Sequence, residues 1–239
     1  MLRKLRYEIR NQLSCHPFPY LFLVRYFKPN ISSRAAPVDQ STDVVIEAFG
    51  RSGNTFAVNA FRMAQKNDVK IAHHLHASAQ VIEGIKRKVP VLVIIRNPQD
   101  SVVSFCLRHP VVTLSQVLRA YIRFYESLNE YKDKIVIATF DEVTSDFGAV
   151  ILKLNSMYGT TFKPFHHVDN NVEACFKAIE DRNKQLFGNG KINEMMVSRP
   201  SEARQEAKEN MVGMLEEKNV RELFDKAKEV YHEWGGRVV

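Results

Sequence analysis

The chain has 239 residues, of which 45% are hydrophobic and 26% charged, with a formal net charge of +7. That is the size and balance of one ordinary α/β domain with a sizeable core, and it excludes a repetitive or low-complexity protein. Three cysteines (Cys15, Cys106 and Cys175), widely spaced and odd in number, exclude a disulfide framework and point to reduced thiols in a cytoplasmic protein, with Cys106 a core residue rather than a nucleophile.

Residues 1–42 read as a basic N-terminal helix and a linker, and 43–239 as a single domain. Leu2, Leu5, Ile9 and Leu13 fall on one helical face with Arg3, Lys4, Arg6 and Arg10 around it, and residues 1–28 hold six Lys or Arg against Glu8 alone. Such a helix either makes peripheral contact with an anionic membrane or packs on the body with its basic side in water. Amphipathic helices usually face a core, and the packed arrangement is the expectation. The following apolar run, Pro17–Val24, is far short of the roughly 20 residues of a membrane-spanning helix. Arg25 closes it, and no cleavage site of small residues follows. The basic charge alone would suit nucleic acid. No zinc pattern, aromatic RNA-binding motif or helix-turn-helix signal accompanies it, so no nucleic-acid partner is expected. Residues 29–42 read as the linker into the first strand.

The first strand is predicted over about 43–49 and halts at Gly50-Arg51-Ser52-Gly53; helical spacing restarts at Thr55. A strand, a glycine-rich turn and a helix N-terminus together make a site for phosphate or sulfate, because the turn brings backbone N–H groups close to the anion. Ser52 and Thr55 add hydroxyl donors. The nucleotide-triphosphate form Gly-x-x-x-x-Gly-Lys-Thr fits badly: Ala48 stands at its first glycine and Asn54 at its lysine, and the cation comes three residues earlier, as Arg51.

A second strand over about 68–73 leads into His73-His74-Leu75-His76. Histidine titrates near neutrality and suits proton transfer. His74 and His76 share a strand face, but no Cys or acidic ligand accompanies them, and no metal is expected. A third strand, 90–95, ends in Arg96-Asn97-Pro98-Gln99-Asp100, with Pro98 suited to the first turn of a helix. Arg96, with its bidentate fork, and Ser104 two turns later can reach one dianionic group. Asp100 reads as a first-turn residue favoured by the helix dipole. A fourth strand follows at 134–140, with helices near 55–66, 77–88, 98–108 and 113–132. This alternation argues for a parallel sheet covered on both faces, with its ligand beyond the strands' carboxyl ends, where all three motifs fall.

The two anion motifs, Arg51-Ser52-Gly53-Asn54-Thr55 and the series Arg96, Pro98, Asp100 and Ser104, resemble those of sulfotransferases that use 3′-phosphoadenosine 5′-phosphosulfate (PAPS). The resemblance covers residues 43–106 and extends weakly to about 140, where Phe140-Asp141-Glu142 is similar to an aromatic-Glu-Asp segment of the family. It implies a three-layer αβα, P-loop nucleotide-hydrolase-like fold with a parallel sheet and a helical C-terminal third. It also implies PAPS as co-substrate, no metal, and an acceptor hydroxyl on a carbohydrate, glycolipid or small alcohol. Arg51, Ser52, Gly53, Asn54 and Thr55 would hold the 5′-phosphosulfate, and Arg96 and Ser104 the 3′-phosphate. His74, 22 residues before Arg96, is the first choice for general base, with His76 the alternative. Ala72 stands where the family usually has lysine, leaving Arg51 to act alone on the transferring group. A P-loop kinase or phosphotransferase and an inactive nucleotide-binding protein are the competing readings.

Beyond residue 141 the pattern is mostly helical: 147–158 stopped by Gly159, 171–187, a flexible stretch over 188–200, a helix capped by Ser201, and a last helix to about Trp234. Lys191, Arg199 and Arg204 are candidates for the basic loop over the 3′-phosphate that the resemblance implies. No dimerisation motif is evident, and the oligomeric state stays open.

Overall fold

The computed structural model describes residues 2–27, 35–65, 68–187 and 205–236. In chain order the elements are α1 (Leu2–Leu13), α2 (Pro17–Phe27), β1 (Val44–Ala48), α3 (Asn54–Ala64), β2 (Ile71–His73), α4 (Ser78–Lys86), β3 (Val91–Ile95), α5 (Pro98–Arg108), α6 (Leu114–Glu126), β4 (Val136–Thr139), α7 (Phe140–Ser145), α8 (Phe147–Tyr158), α9 (Asp169–Phe187), α10 (Gln205–Gly213) and α11 (Lys218–Glu233). The four strands form one parallel sheet in the order β2-β1-β3-β4.

Side chains alternate across a strand, and the sheet sorts its residues accordingly. Val45, Val91, Val93 and Ile95 face a core shared with α2, α4, α5, α6 and α11. Val44, Ile46, Ala48, Leu92 and Ile94 face a second core closed by α3, α8 and α9. Helices thus cover both faces, and the near-continuous apolar strands follow from that double burial. Gly84 lets α4 lie tight on the sheet, since a Cβ there would come 2.7 Å from Val45 Cγ2.

Local chemistry sets the boundaries near the carboxyl edge. Pro98 opens α5, and Asn97 caps it by accepting from Gln99 N at 2.9 Å. The fourth strand stops at Thr139, earlier than expected, because Thr139 and Glu142 form a reciprocal capping box that starts α7. The helix expected over 113–132 ends at Glu126, and Asn129–Lys134 form a 3₁₀ helix. Gly159, at φ 65°, ends α8 where the sequence placed the stop.

The N-terminal helix reverses one expectation. Of its apolar row only Leu13 packs on the core, while Leu2, Leu5 and Ile9 are exposed. It is held instead through Asn11, buried, through Tyr7 against Phe105, and through Arg10, which donates to the Leu75 carbonyl at 2.8 Å. Arg10 is one of the cations expected in water. No helix among the described residues is long and apolar enough to cross a membrane. The stretch 188–200 expected to be flexible, the cap expected at Ser201 and the candidate cations Lys191, Arg199 and Arg204 lie outside the described residues.

Candidate functional site

The loop between β1 and α3 is the hub. Arg51 adopts φ 70°, unusual for a residue with a Cβ, and Gly53 adopts φ 89°. A Cβ on Gly53 would also meet the Phe140 ring at 3.0 Å. The turn directs Arg51 to α5, where its Nε donates to Ser104 Oγ at 2.9 Å. Arg96, at the end of β3, donates to the Arg51 carbonyl at 3.1 Å. Three residues picked out far apart in sequence therefore meet at one edge of the sheet.

Several contacts orient Arg96. The Phe140 ring lies 4.0 Å from its guanidinium carbon, Asp100 is 3.5 Å away, and its backbone carbonyl accepts from the Tyr121 hydroxyl at 2.8 Å. Burial lowers its pKa against the raising pull of Asp100 and Asp141. Asp100 thus does more than complement the helix dipole, although half-exposed pairs of this kind add little stability. Arg96 Nε and both side-chain polar atoms of Asn54 are buried without hydrogen-bond partners. Buried unpartnered polar groups are costly, and the two donors among these atoms, Asn54 Nδ2 and Arg96 Nε, suit an anion at the helix N-terminus. Ser52 is fully buried at the base of the loop.

The far end of the loop reaches the histidines. Thr55 Oγ1 is 3.1 Å from His74 Nε2, His74 Nδ1 is 2.8 Å from His73 Nδ1, and His73 Nε2 is 2.8 Å from Arg62 Nη2. This chain of contacts fixes the protons. A guanidinium can only donate, so His73 Nε2 accepts and the neutral ring carries its proton on Nδ1. His73 then donates to His74 Nδ1, which leaves the His74 proton on Nε2, facing Thr55. His76 is arranged the other way. Its Nδ1 lies 2.8 Å from the Ala48 carbonyl, which can only accept, so that nitrogen holds the proton and Nε2 the lone pair.

All three rings stay neutral near pH 7. Burial, then Arg62, pushes His73 down to about 3. Burial, then the neighbouring histidines, holds His74 well below 6.5. Burial pushes His76 down to about 4.

Glu47, in the middle of β1, was missed in the sequence; the signal was a single acidic residue inside an otherwise apolar run. It is fully buried and accepts four N–H bonds: Leu75 N at 2.8 Å, His76 N at 3.1 Å, Ala48 N at 3.2 Å and Gln80 Nε2 at 2.7 Å. These bonds hold the turn in which His74 (φ 60°) and His76 (φ 49°) take left-handed conformations. Burial pushes the Glu47 carboxyl up to about 8, opposed by those donors.

The shifts have a consequence for stability. The histidines are depressed from 6.5 on folding, so their contribution is present above pH 6.5 and lost as pH falls. Glu47, raised from 4.5, contributes in the opposite sense, losing stability as pH rises toward 8. Between pH 4.5 and 6.5 the unfolded chain takes up three histidine protons and the folded chain keeps one on Glu47, a net of two. These four groups then lower stability by at most roughly 2.7 kcal/mol per pH unit on acidification, and His109, also depressed by burial, adds in the same direction. We expect the melting temperature to drop steeply below pH 6.5; a flat profile from pH 7 to 5 would contradict this assignment.

Among the described residues, no group of three His, Cys, Asp or Glu is arranged to hold a metal ion. Glu142 is engaged by Thr139 and by Lys153 at 2.6 Å. Cys106 and Cys175 are buried free thiols whose pKa burial pushes up to about 12, fitting core packing rather than nucleophilic chemistry.

No protein-family model and no curated protein matches the chain. Among solved structures, mouse sulfotransferase SULT7A1 complexed with PAP is similar at 13% identity, covering 83% of this chain and 93% of that chain, with a TM-score of 0.45.

Proposed function

We propose that the chain is a PAPS-dependent sulfotransferase with a P-loop-type fold, acting on an acceptor hydroxyl. The observation that carries this reading is the convergence of Arg51, Arg96 and Ser104 at one end of the β1–α3 loop while Thr55, at the other end, touches His74. One end offers two guanidiniums and a hydroxyl to a dianion, as a 3′-phosphate requires. The other offers proton donors and an acceptor, as group transfer to a hydroxyl requires. The unpartnered donors Asn54 Nδ2 and Arg96 Nε fit a ligand rich in phosphate oxygens.

Bound PAPS would supply the activated sulfuryl group. The chain does the rest. Gly53 permits the tight turn, Ser52 and Asn54 line its base, and the loop's backbone with the N-terminus of α3 faces the 5′ side. Arg51 reaches toward Ser104, so its guanidinium serves the 3′ side as well as the charge that develops during transfer. His76, with its lone pair on Nε2, takes the acceptor proton, and His74 keeps its Nε2 proton and donates a hydrogen bond through it to an anionic oxygen of the transferring group. This exchanges the two histidines relative to the order expected from sequence. It also supplies a donor where Ala72 lacks the lysine ammonium. Transfer is in-line: the acceptor oxygen bonds to sulfur as the sulfur–phosphate oxygen bond breaks.

The test is binding of 3′,5′-ADP to the purified chain and to Arg96→Ala. Removing a charge-assisted bidentate contact should weaken binding on the order of 10- to 100-fold. Unchanged affinity would remove Arg96 from the site and the 3′-phosphate reading with it.

A further inference from the structure

We propose that α1 and α2 dock the protein on an anionic membrane surface. Eight of the fourteen large hydrophobic side chains that stand exposed among the described residues lie in these two helices. Singly scattered apolar residues need no explanation, but a concentration of this kind does. On α1, Leu2, Leu5 and Ile9 follow helical spacing along one side. On α2, Phe18, Phe22 and Tyr26 form a stripe one turn apart, with ring centroids 6.3 and 4.5 Å from one another. Phe18 is 83% exposed. These residues are not spare core, because α2 packs through Tyr20, Leu21 and Val24 on its other side.

Charge selects the occupant. Arg3, Lys4 and Arg6 are exposed on α1 and have no acidic partner among the described residues. Glu8, the one acidic residue in the two helices, is taken by Arg119 at 3.3 Å. Arg25 turns inward to the Val38 carbonyl at 2.6 Å, and Arg10 to Leu75. What remains facing outward is aromatic, aliphatic and cationic, the combination that settles at the boundary of headgroups and acyl chains in anionic bilayers. A second copy of this chain fits poorly, since a two-fold contact would bring Arg3, Lys4 and Arg6 against their own kind. The surface is tied to the site: Arg10 and Tyr20 both donate to the carbonyl of Leu75, between His74 and His76. Docking would therefore hold the histidine turn close to the bilayer, although the docking proposal stands without the sulfotransferase reading.

Co-sedimentation of the full chain with vesicles tests it. Binding is expected with phosphatidylcholine–phosphatidylserine vesicles and not with phosphatidylcholine alone. The triple variant Arg3→Glu, Lys4→Glu, Arg6→Glu should bind on the order of 100-fold more weakly. Phe18→Ser should also weaken binding, and both variants should keep the parent melting temperature. Equal binding by the triple variant would overturn the proposal. So would absence of vesicle binding together with self-association that Phe18→Ser abolishes, which would put a second copy on this face, or with capture of an acidic protein by the same residues.

Discussion

His76→Asn should lower turnover by about 10²- to 10⁴-fold while leaving binding of 3′,5′-ADP unchanged. Asparagine tolerates the left-handed conformation at φ 49° but cannot act as a base. Proton placement distinguishes the two histidines. The Ala48 carbonyl fixes the His76 proton on Nδ1 and leaves Nε2 free to accept, whereas the chain from Arg62 through His73 puts a proton on His74 Nε2. His74→Asn should also slow turnover, by about 10²- to 10³-fold, as the loss of one donor to developing charge. The pH profile separates the two. A base with a pKa of about 4 gives kcat/KM a fall on the acid side as its lone pair is protonated. That limb should vanish in His76→Asn and persist in His74→Asn. The opposite pattern would restore His74 as the base.

Glu47→Ala should destabilise the chain by about 3–5 kcal/mol, the range for an uncompensated buried polar network. Four N–H groups lose their acceptor at once, and two of them, on Leu75 and His76, shape the histidine turn. Glu47→Gln should fall between the parent and alanine: the amide oxygen can still accept from Leu75 and Gln80, but the amide nitrogen, unlike the hydroxyl oxygen of the protonated carboxyl, has no lone pair to accept from the N–H groups of Ala48 and His76. Denaturant midpoints measure both. A Glu47→Ala variant within about 1 kcal/mol of the parent would mean that the turn is held by its other contacts, those of Arg10 and Tyr20 with Leu75.

How much could be read from the sequence depended on the kind of signal. The strands were legible because double burial makes them continuous apolar runs, as in Val91–Ile95. The turn between β1 and α3 and the place of Arg96 beyond the end of β3 were legible because glycine, proline and arginine have narrow backbone and hydrogen-bonding roles at strand ends. The direct bond between Arg51 and Ser104 was not, since it depends on the positive φ of Arg51, a conformation that the residue type disfavours. The apolar row of α1 was visible, but periodicity gives a face and not its direction, and here Tyr7, Arg10 and Asn11 form the packed side, with Leu13 the one member of the row that joins them. The proton order of His73, His74 and His76 needed partners, Arg62 and Ala48, that only the fold brings near.

The central claim is a site built for a nucleotide with a 3′-phosphate, and calorimetric titration with 3′,5′-ADP, 5′-ADP and ATP–Mg²⁺ tests it most directly. The account predicts tight binding of 3′,5′-ADP alone, because on the proposed reading Arg51, Arg96 and Ser104, which meet at the end of the loop away from Thr55 and His74, would hold the 3′-phosphate. Preference for ATP–Mg²⁺ would contradict it and make the chain a phosphotransferase.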